Sequence, residues 1–162
     1  MPEPASIYAD LRARALDAVQ SGHVPSTLRS GALGVVVDIP ASGGFVTIVG
    51  LADNTTSMYT STGGGTIGAG AHRAVATATQ ALLAVVDAHR SSFDDHVDDA
   101  LPPPGMVRFH GLAEAGGFVV DVPEDSFWGR APHALMPLIA ATQELIGAIS
   151  AIPTKEPDLG ST

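Results

Sequence analysis

Hydrophobic residues recur with a helical period in three segments of the chain, residues 5–21, 71–90 and 133–151. The stripe of the first segment consists of Ile7, Leu11, Ala15, Ala18 and Val19. The second segment is apolar on nearly all sides, so we expect that helix to be central. Pro137 fits the first turn of the third helix, because a missing N–H costs little there. The pattern therefore predicts three helices.

Five shorter runs rich in β-branched residues are separated by turns that contain Gly, Asp or Asn. These runs cover residues 33–39, 45–52, 55–60, 106–110 and 117–122. Such spacing is typical of hairpins and predicts antiparallel pairing. We therefore expect an α+β fold, with a five-stranded antiparallel sheet, three helices and the order α-βββ-α-ββ-α. A single domain is predicted over residues 1–152, followed by a flexible C-terminal tail over residues 153–162.

This order of elements resembles that of profilin-like and roadblock-type domains, which also pack helices against a five-stranded antiparallel sheet. The resemblance is one of architecture and rests on no sequence motif. An architecture of this kind implies a fold and leaves the function open.

Composition excludes several classes of function for the 162 residues. The chain has 8 Lys and Arg against 17 Asp and Glu, a net charge of −9, which disfavours binding to nucleic acid. It contains no Cys, so it has neither disulfides nor thiolate metal sites. The N-terminus lacks the apolar stretch of a signal peptide, and apolar runs such as Leu82–Val86 are far shorter than the roughly 20 residues of a membrane span. We expect a cytoplasmic protein without a membrane span.

The scarcity of charge is the most informative feature of the composition. Charged residues make up 15% of the chain, whereas about 25% is usual in globular domains. One explanation is the codon bias of a GC-rich genome, which favours small residues. The other is that part of the surface is buried against a partner or a second copy of the chain.

A glycine-rich segment between the third strand and the second helix is the most distinctive motif. Gly63, Gly65 and Gly68 match the spacing G-x-G-x-x-G. The candidate ligand- or interface-binding residues here are Gly63, Gly64, Gly65, Thr66, Gly68, His72 and Arg73. Backbone N–H groups before a helix can bind an anion, but the βαβ context of a dinucleotide site and the lysine of a phosphate-binding loop are absent. The glycines can equally serve close packing against another element or subunit.

The remaining polar clusters give no defined chemistry. Asp94, Asp95, Asp98 and Asp99, with His89 and His96, could ligate a metal ion, but the order of an EF-hand is missing and such runs are usually solvated. Neither a G-x-S-x-G nor an H-E-x-x-H motif occurs. We therefore predict no catalytic residues, no metal site and no cofactor. Whether His72, His110, Asp53 and Glu114 converge is left open by the sequence.

Trp128, the only tryptophan, is expected in a loop, either as a lid over the core or as an interface anchor. Together these features favour a non-enzymatic, acidic protein-interaction domain of adaptor or immunity type. We expect it to work in a homo- or hetero-oligomer. The alternative is a small-ligand or anion-binding domain, and potentially an enzyme, that uses residues 63–70.

Overall fold

Six strands form one antiparallel sheet in the computed structural model, which describes residues 4–95 and 99–152. The strands are β1 (Gly34–Ala41), β2 (Gly44–Leu51), β3 (Thr56–Thr60), β4 (Gly65–Thr66), β5 (Met106–Ala113) and β6 (Gly116–Pro123). Their order across the sheet is β4-β3-β2-β1-β5-β6. The β3–β4 hairpin therefore lies at one edge of the sheet and β6 at the other.

Helices cover both faces of this sheet. They are α1 (Pro4–Asp17), α2 (Arg73–Ala88), the single turn α3 (Glu124–Phe127) and α4 (Met136–Ser150). Short 3-10 helices precede and follow α2, at Ala69–Ala71 and Arg90–Ser92. One face of the sheet is covered by α1, whereas α2 and α4 pack side by side on the other face.

Strand alternation decides which residues meet which helix. Val36 and Asp38 of β1 point toward α1, and their neighbours Val35 and Val37 point toward α2 and α4. Gly50 of β2 lies on this second face, where it leaves room for side chains of the two helices. The apolar core between the sheet and the helix pair is consequently continuous, and all four of these β1 residues are fully buried.

The expected α+β class with an antiparallel sheet is confirmed, but the sheet has six strands rather than five. The additional strand, β4, has only two residues and lies within the glycine-rich segment. Gly63 and Gly64 have φ angles of +111° and +90°, which let the chain turn back onto β3. Glycines interrupt the few β-branched residues of this segment, so its hydrophobic pattern indicates a loop.

Within residues 4–95 and 99–152 there are also four α-helices rather than the three expected. The fourth, α3, follows Pro123 and has Glu124 and Asp125 in its first turn, where acidic side chains are favourable. A single turn is too short to produce a helical hydrophobic period, so the sequence pattern indicated a loop around Trp128. Pro137 lies in the first turn of α4, as expected. The proposed tail, residues 153–162, lies outside the described residues.

Two glycines provide a matched test of this packing. A Cβ at Gly70 would lie 1.6 Å from the backbone oxygen of Asn54, whereas a Cβ at Gly147 on α4 would meet nothing within 4 Å. We expect Gly70→Ala to lower the free energy of unfolding by about 1–3 kcal/mol. We expect Gly147→Ala to raise it by roughly 0.5–1 kcal/mol, because alanine favours a helix. Urea unfolding followed by circular dichroism measures both, and equal effects would contradict this packing.

Candidate functional site

A buried charged cluster joins α1 to the centre of the sheet. Asp38 of β1 is 0% exposed and accepts hydrogen bonds from three side chains. Nη2 of Arg12 lies 2.8 Å from Oδ2 of Asp38, and Nε2 of His110 lies 2.9 Å from the same oxygen. The hydroxyl of Thr47 donates to Oδ1 at 2.8 Å, and it is itself 2.6 Å from the hydroxyl of Tyr8. We call these five residues the Asp38 cluster.

These hydrogen bonds and charges determine the ionisation of Asp38. Burial by itself raises the pKa of the carboxyl, but hydrogen bonds from His110 and Arg12 and the positive charge of Arg12 outweigh it. The pKa of Asp38 therefore lies below its ordinary value, and the group is a carboxylate at neutral pH. Burial by itself lowers the pKa of Arg12, but the hydrogen bonds and the attraction to Asp38 outweigh that effect. The pKa of Arg12 therefore lies above its ordinary value, and this side chain stays charged. The pair is thus an internal ion pair.

Arginines also attach the segment after residue 98 to this face of the sheet. Arg12 donates from Nη1 to the backbone oxygen of Asp99 and from Nη2 to that of Ala100. Arg108 donates from Nη1 to the same oxygen of Ala100 and forms an ion pair of 2.8 Å with Asp121 of β6. The backbone of residues 99 and 100 is therefore held near the Asp38 cluster.

Tyr59 contributes a buried hydroxyl beside the same cluster. Its ring packs edge-on against Tyr8, with 5.7 Å between the ring centroids. The hydroxyl is buried and has no hydrogen-bond partner among the described residues. Burial, with the nearby Tyr8 and Asp38, raises the pKa of Tyr59 above its ordinary value. The phenol is therefore neutral, and it is the least satisfied polar group beneath α1.

Cavities flank α1 on both sides. A cavity of about 240 Å³ lies between the C-terminal half of α1 and the β5–β6 hairpin, and His110 lines it. On the other side, a cavity of about 290 Å³ lies between α1 and β3, and a smaller one of about 180 Å³ adjoins the β3–β4 hairpin. Leu11 and Tyr59 line both of the latter. We call these two cavities together the hairpin groove.

The glycine-rich segment forms the hairpin at the sheet edge. The N–H of Gly63 donates to the backbone oxygen of Thr60, and Gly65 and Thr66 pair with Tyr59 and Met58 of β3. A Cβ at Gly65 would lie 2.3 Å from the backbone oxygen of Met58, so this glycine serves close packing of the strands. Gly63 and Gly64 also line the hairpin groove.

The other candidate residues lie elsewhere. Gly68, with φ +75°, begins the short 3-10 helix that separates the hairpin from α2, and His72 and Arg73 are exposed at the start of α2. Trp128 is 48% exposed and packs edge-on against Phe127 of α3. Since α3 lies against β5 and β6, Trp128 is at the sheet edge opposite to the glycines.

No metal site is formed by the described acidic residues that follow α2, which are Asp94, Asp95 and Asp99. No group of three potential ligands is close enough to hold an ion within residues 4–95 and 99–152. Asp95 pairs with Arg90, and the backbone of Asp94 pairs with that of Val119 in β6. His89 is within hydrogen-bond distance of a backbone oxygen of α2. The candidate ligands His96 and Asp98 lie outside the described residues.

Sequence reasoning missed most of the Asp38 cluster. His110 was considered with Asp53 and Glu114, yet its partner is Asp38, a residue that no motif marks. One signal was present, because Asp38 interrupts the apolar run LGVVVDI. A carboxylate in such a strand is buried and therefore needs a cationic or hydrogen-bonding partner. Nothing in the sequence identified Arg12 as that partner.

Comparison with known proteins adds no assignment, since no family model, no curated protein and no solved structure matches this chain. Within residues 4–95 and 99–152, no helix has the length and apolar character needed to cross a membrane.

The Asp38 cluster predicts an acid-dependent stability. Asp38→Asn leaves the Arg12 charge without a counter-ion, so we expect it to lower the free energy of unfolding by about 3–5 kcal/mol at pH 7. Because the pKa of Asp38 is lower in the folded state, its ionised form stabilises the wild type at pH values above the ordinary pKa of about 3.9. That stabilisation is lost as the pH falls through the lower pKa of the folded state.

Urea unfolding at several pH values between neutral and strongly acid measures both effects. The difference between wild type and Asp38→Asn should be constant near neutrality and shrink in acid. Asp17→Asn, at an exposed position of α1, is the control and should change stability little. A difference between wild type and Asp38→Asn that does not depend on pH would contradict the role of the ion pair.

Proposed function

We propose that this chain is a non-enzymatic, acidic protein-interaction domain of adaptor or immunity type that works in the cytoplasm as an oligomer. The interface in this proposal is the outer face of α2 and α4, and its first occupant is a second copy of the chain. The observation that carries the proposal is the near absence of charge from that face.

The outer face of the two helices consists almost entirely of small or apolar residues. Its exposed positions are Ala74, Thr77, Ala81, Ala84 and Ala88 on α2, with Met136, Pro137, Ala140, Gly147 and Ser150 on α4. Within Arg73–Ala88 and Met136–Ser150, the exposed charged residues are Arg73 and Glu144. Depletion of charge is what distinguishes the core of an interface from ordinary surface.

This distribution favours an interface over a uniform compositional bias. α1 also has many alanines, yet its exposed positions include three charged residues, Asp10, Arg14 and Asp17. A bias of the whole genome would deplete charge from every helix alike. Here the depletion is concentrated on the helix pair, where short side chains would let the backbone of a facing helix approach closely.

The negative net charge also bears on which protein binds the outer face of α2 and α4. Two chains with a net charge of −9 repel each other through their acidic surfaces. Contact between copies is therefore least unfavourable on the uncharged face of α2 and α4. The acidic surfaces then stay free to attract a basic protein. Binding of such a protein would give the hetero-oligomer of the same proposal.

A second candidate function is binding of a small ligand or anion at the glycine-rich segment. The observation that favours it is the hairpin groove, which Gly63, Gly64 and the 69%-exposed Ile67 border. Arg73 and His72 follow on the same stretch of chain and would supply positive charge and a donor. Gly65→Val is unsuitable for testing this function, because a side chain there would collide with β3.

We expect Ala81→Glu to disrupt self-association, because it places a charge at the middle of the uncharged face. Analytical ultracentrifugation should find the wild type at twice the 16.5 kDa chain mass or more and the variant at the mass of one chain. Ala13→Glu, the same change at an exposed position of α1, should leave the assembly intact. A monomeric wild type, or equal effects of the two variants, would rule out this interface.

For the second candidate, the probe is inorganic phosphate. We expect phosphate to shift the amide NMR signals of Gly64, Gly68 and Arg73 in a saturable way, and Arg73→Ala to remove that response by removing the charge. Arg130→Ala, which deletes an exposed arginine after α3, near the opposite edge of the sheet, is the control. The anion-binding function is wrong if phosphate leaves these signals unchanged.

A further inference from the structure

We propose that the cavity between α1 and the β5–β6 hairpin binds a small apolar molecule with one hydroxyl group, hydrogen-bonded to Nδ1 of His110. This site is separate from the interface on α2 and α4, because it lies on the opposite face of the sheet. It also lies across α1 from the hairpin groove.

The direction of the His110 ring follows from its place in the sheet. β5 lies between β1 and β6, and Nε2 of His110 is turned toward Asp38 on β1. The two nitrogens of an imidazole point in roughly opposite directions across the ring. Nδ1 is therefore turned toward β6, on the side where the cavity lies and where His110 lines it.

The hydrogen-bond capacity of His110 is only partly used. Asp38 is ionised and can only accept, so Nε2 carries the hydrogen that this bond needs. In the neutral imidazole Nδ1 is then an acceptor, and no described residue forms a hydrogen bond with it. His110 is only 3% exposed, and the contacts of its ring with the side chains of Asp38 and Arg12 both use Nε2.

The cavity has the size and lining of a site for a small organic molecule. It measures about 240 Å³. Its apolar lining includes Leu16 of α1, Val19 just after that helix, Leu112 of β5 and Val119 of β6, and its polar side chains besides His110 are Gln20 and Asp99. A mostly apolar pocket with a few well-placed polar groups is the usual form of a small-molecule site. The amide nitrogen of Gln20 already donates to backbone oxygens of the β5–β6 hairpin, so His110 offers the polar contact for a ligand with an apolar body and a single polar group.

A hydroxyl is the group that fits His110 in either protonation state. It can donate to the free Nδ1 of the neutral ring, and it can accept from Nδ1–H if the ring is charged. A carboxylate is less suitable, because Asp99 also lines the cavity and Asp38 lies behind the ring. The ligand class is therefore a small alcohol or phenol.

Gly117 offers a way to close the cavity without disturbing the Asp38 cluster. It lines the cavity, and a Cβ there would meet only the backbone oxygen of Gly111, at an ordinary 3.5 Å. Gly117→Val adds a side chain suited to a strand and fills the space from the β6 side. Ala41→Val, at an exposed position of β1, is the matched control that adds bulk to a strand elsewhere.

The test compares p-cresol with p-xylene, two probes of similar shape of which only the first has a hydroxyl. NMR titration of the full chain should give saturable binding of p-cresol and a shift of the His110 Nδ1 nitrogen signal. We expect p-cresol to bind about tenfold more tightly than p-xylene, the effect of one hydrogen bond. Gly117→Val should abolish binding of both probes, and Ala41→Val should preserve it.

Two outcomes would overturn the inference. Equal affinities for the two probes, or an unchanged His110 nitrogen signal, would remove His110 as the polar contact. Absence of saturable binding to the wild type, or unchanged binding to Gly117→Val, would remove the cavity as a ligand site. None of these results bears on self-association, which Ala81→Glu tests separately.

Discussion

The ion pair between Arg12 and Asp38 is the constraint on which this side of the molecule depends. A carboxylate that is 0% exposed must be compensated, and Arg12, Thr47 and His110 all contribute to that compensation. Because Arg12 belongs to α1, the same pair fixes where the helix crosses the sheet. The backbone oxygens of Asp99 and Ala100 then complete the hydrogen bonds of the guanidinium.

The two faces of the sheet are built on different principles. Toward α2 and α4 the contacts are mainly apolar and continuous, and they include a buried hydrogen bond between Thr56 and Thr79. Toward α1 the contacts combine apolar packing with buried charge, and cavities remain on both sides of the helix. An apolar layer tolerates repacking, whereas a charged cluster is strongly destabilised when one member is lost. We therefore expect the charged cluster to determine how α1 is placed on the sheet. The packing of α2 and α4 should provide most of the apolar core.

This division also separates the proposed functions in space. The uncharged outer surface of α2 and α4 is suited to another protein chain, whereas the cavity beside His110 is suited to a small molecule. A ligand there would contact Leu16 of α1 and Val19 just after it without touching the helix pair. The proposed interface could therefore stay occupied while the cavity binds or releases a ligand.

Hydrophobic period alone determined the three long helices, the antiparallel strands and their order along the chain, because each element buries one stripe or one face. It could not determine β4 or α3. A two-residue strand and a single helical turn are too short to show a hydrophobic period. Nor could it bring Arg12, Asp38 and His110 together, because they are 26 and 72 residues apart in the chain. Their meeting depends on strand register and on the position of α1. It is decided by the tertiary structure, because a buried carboxylate requires partners wherever the fold can supply them.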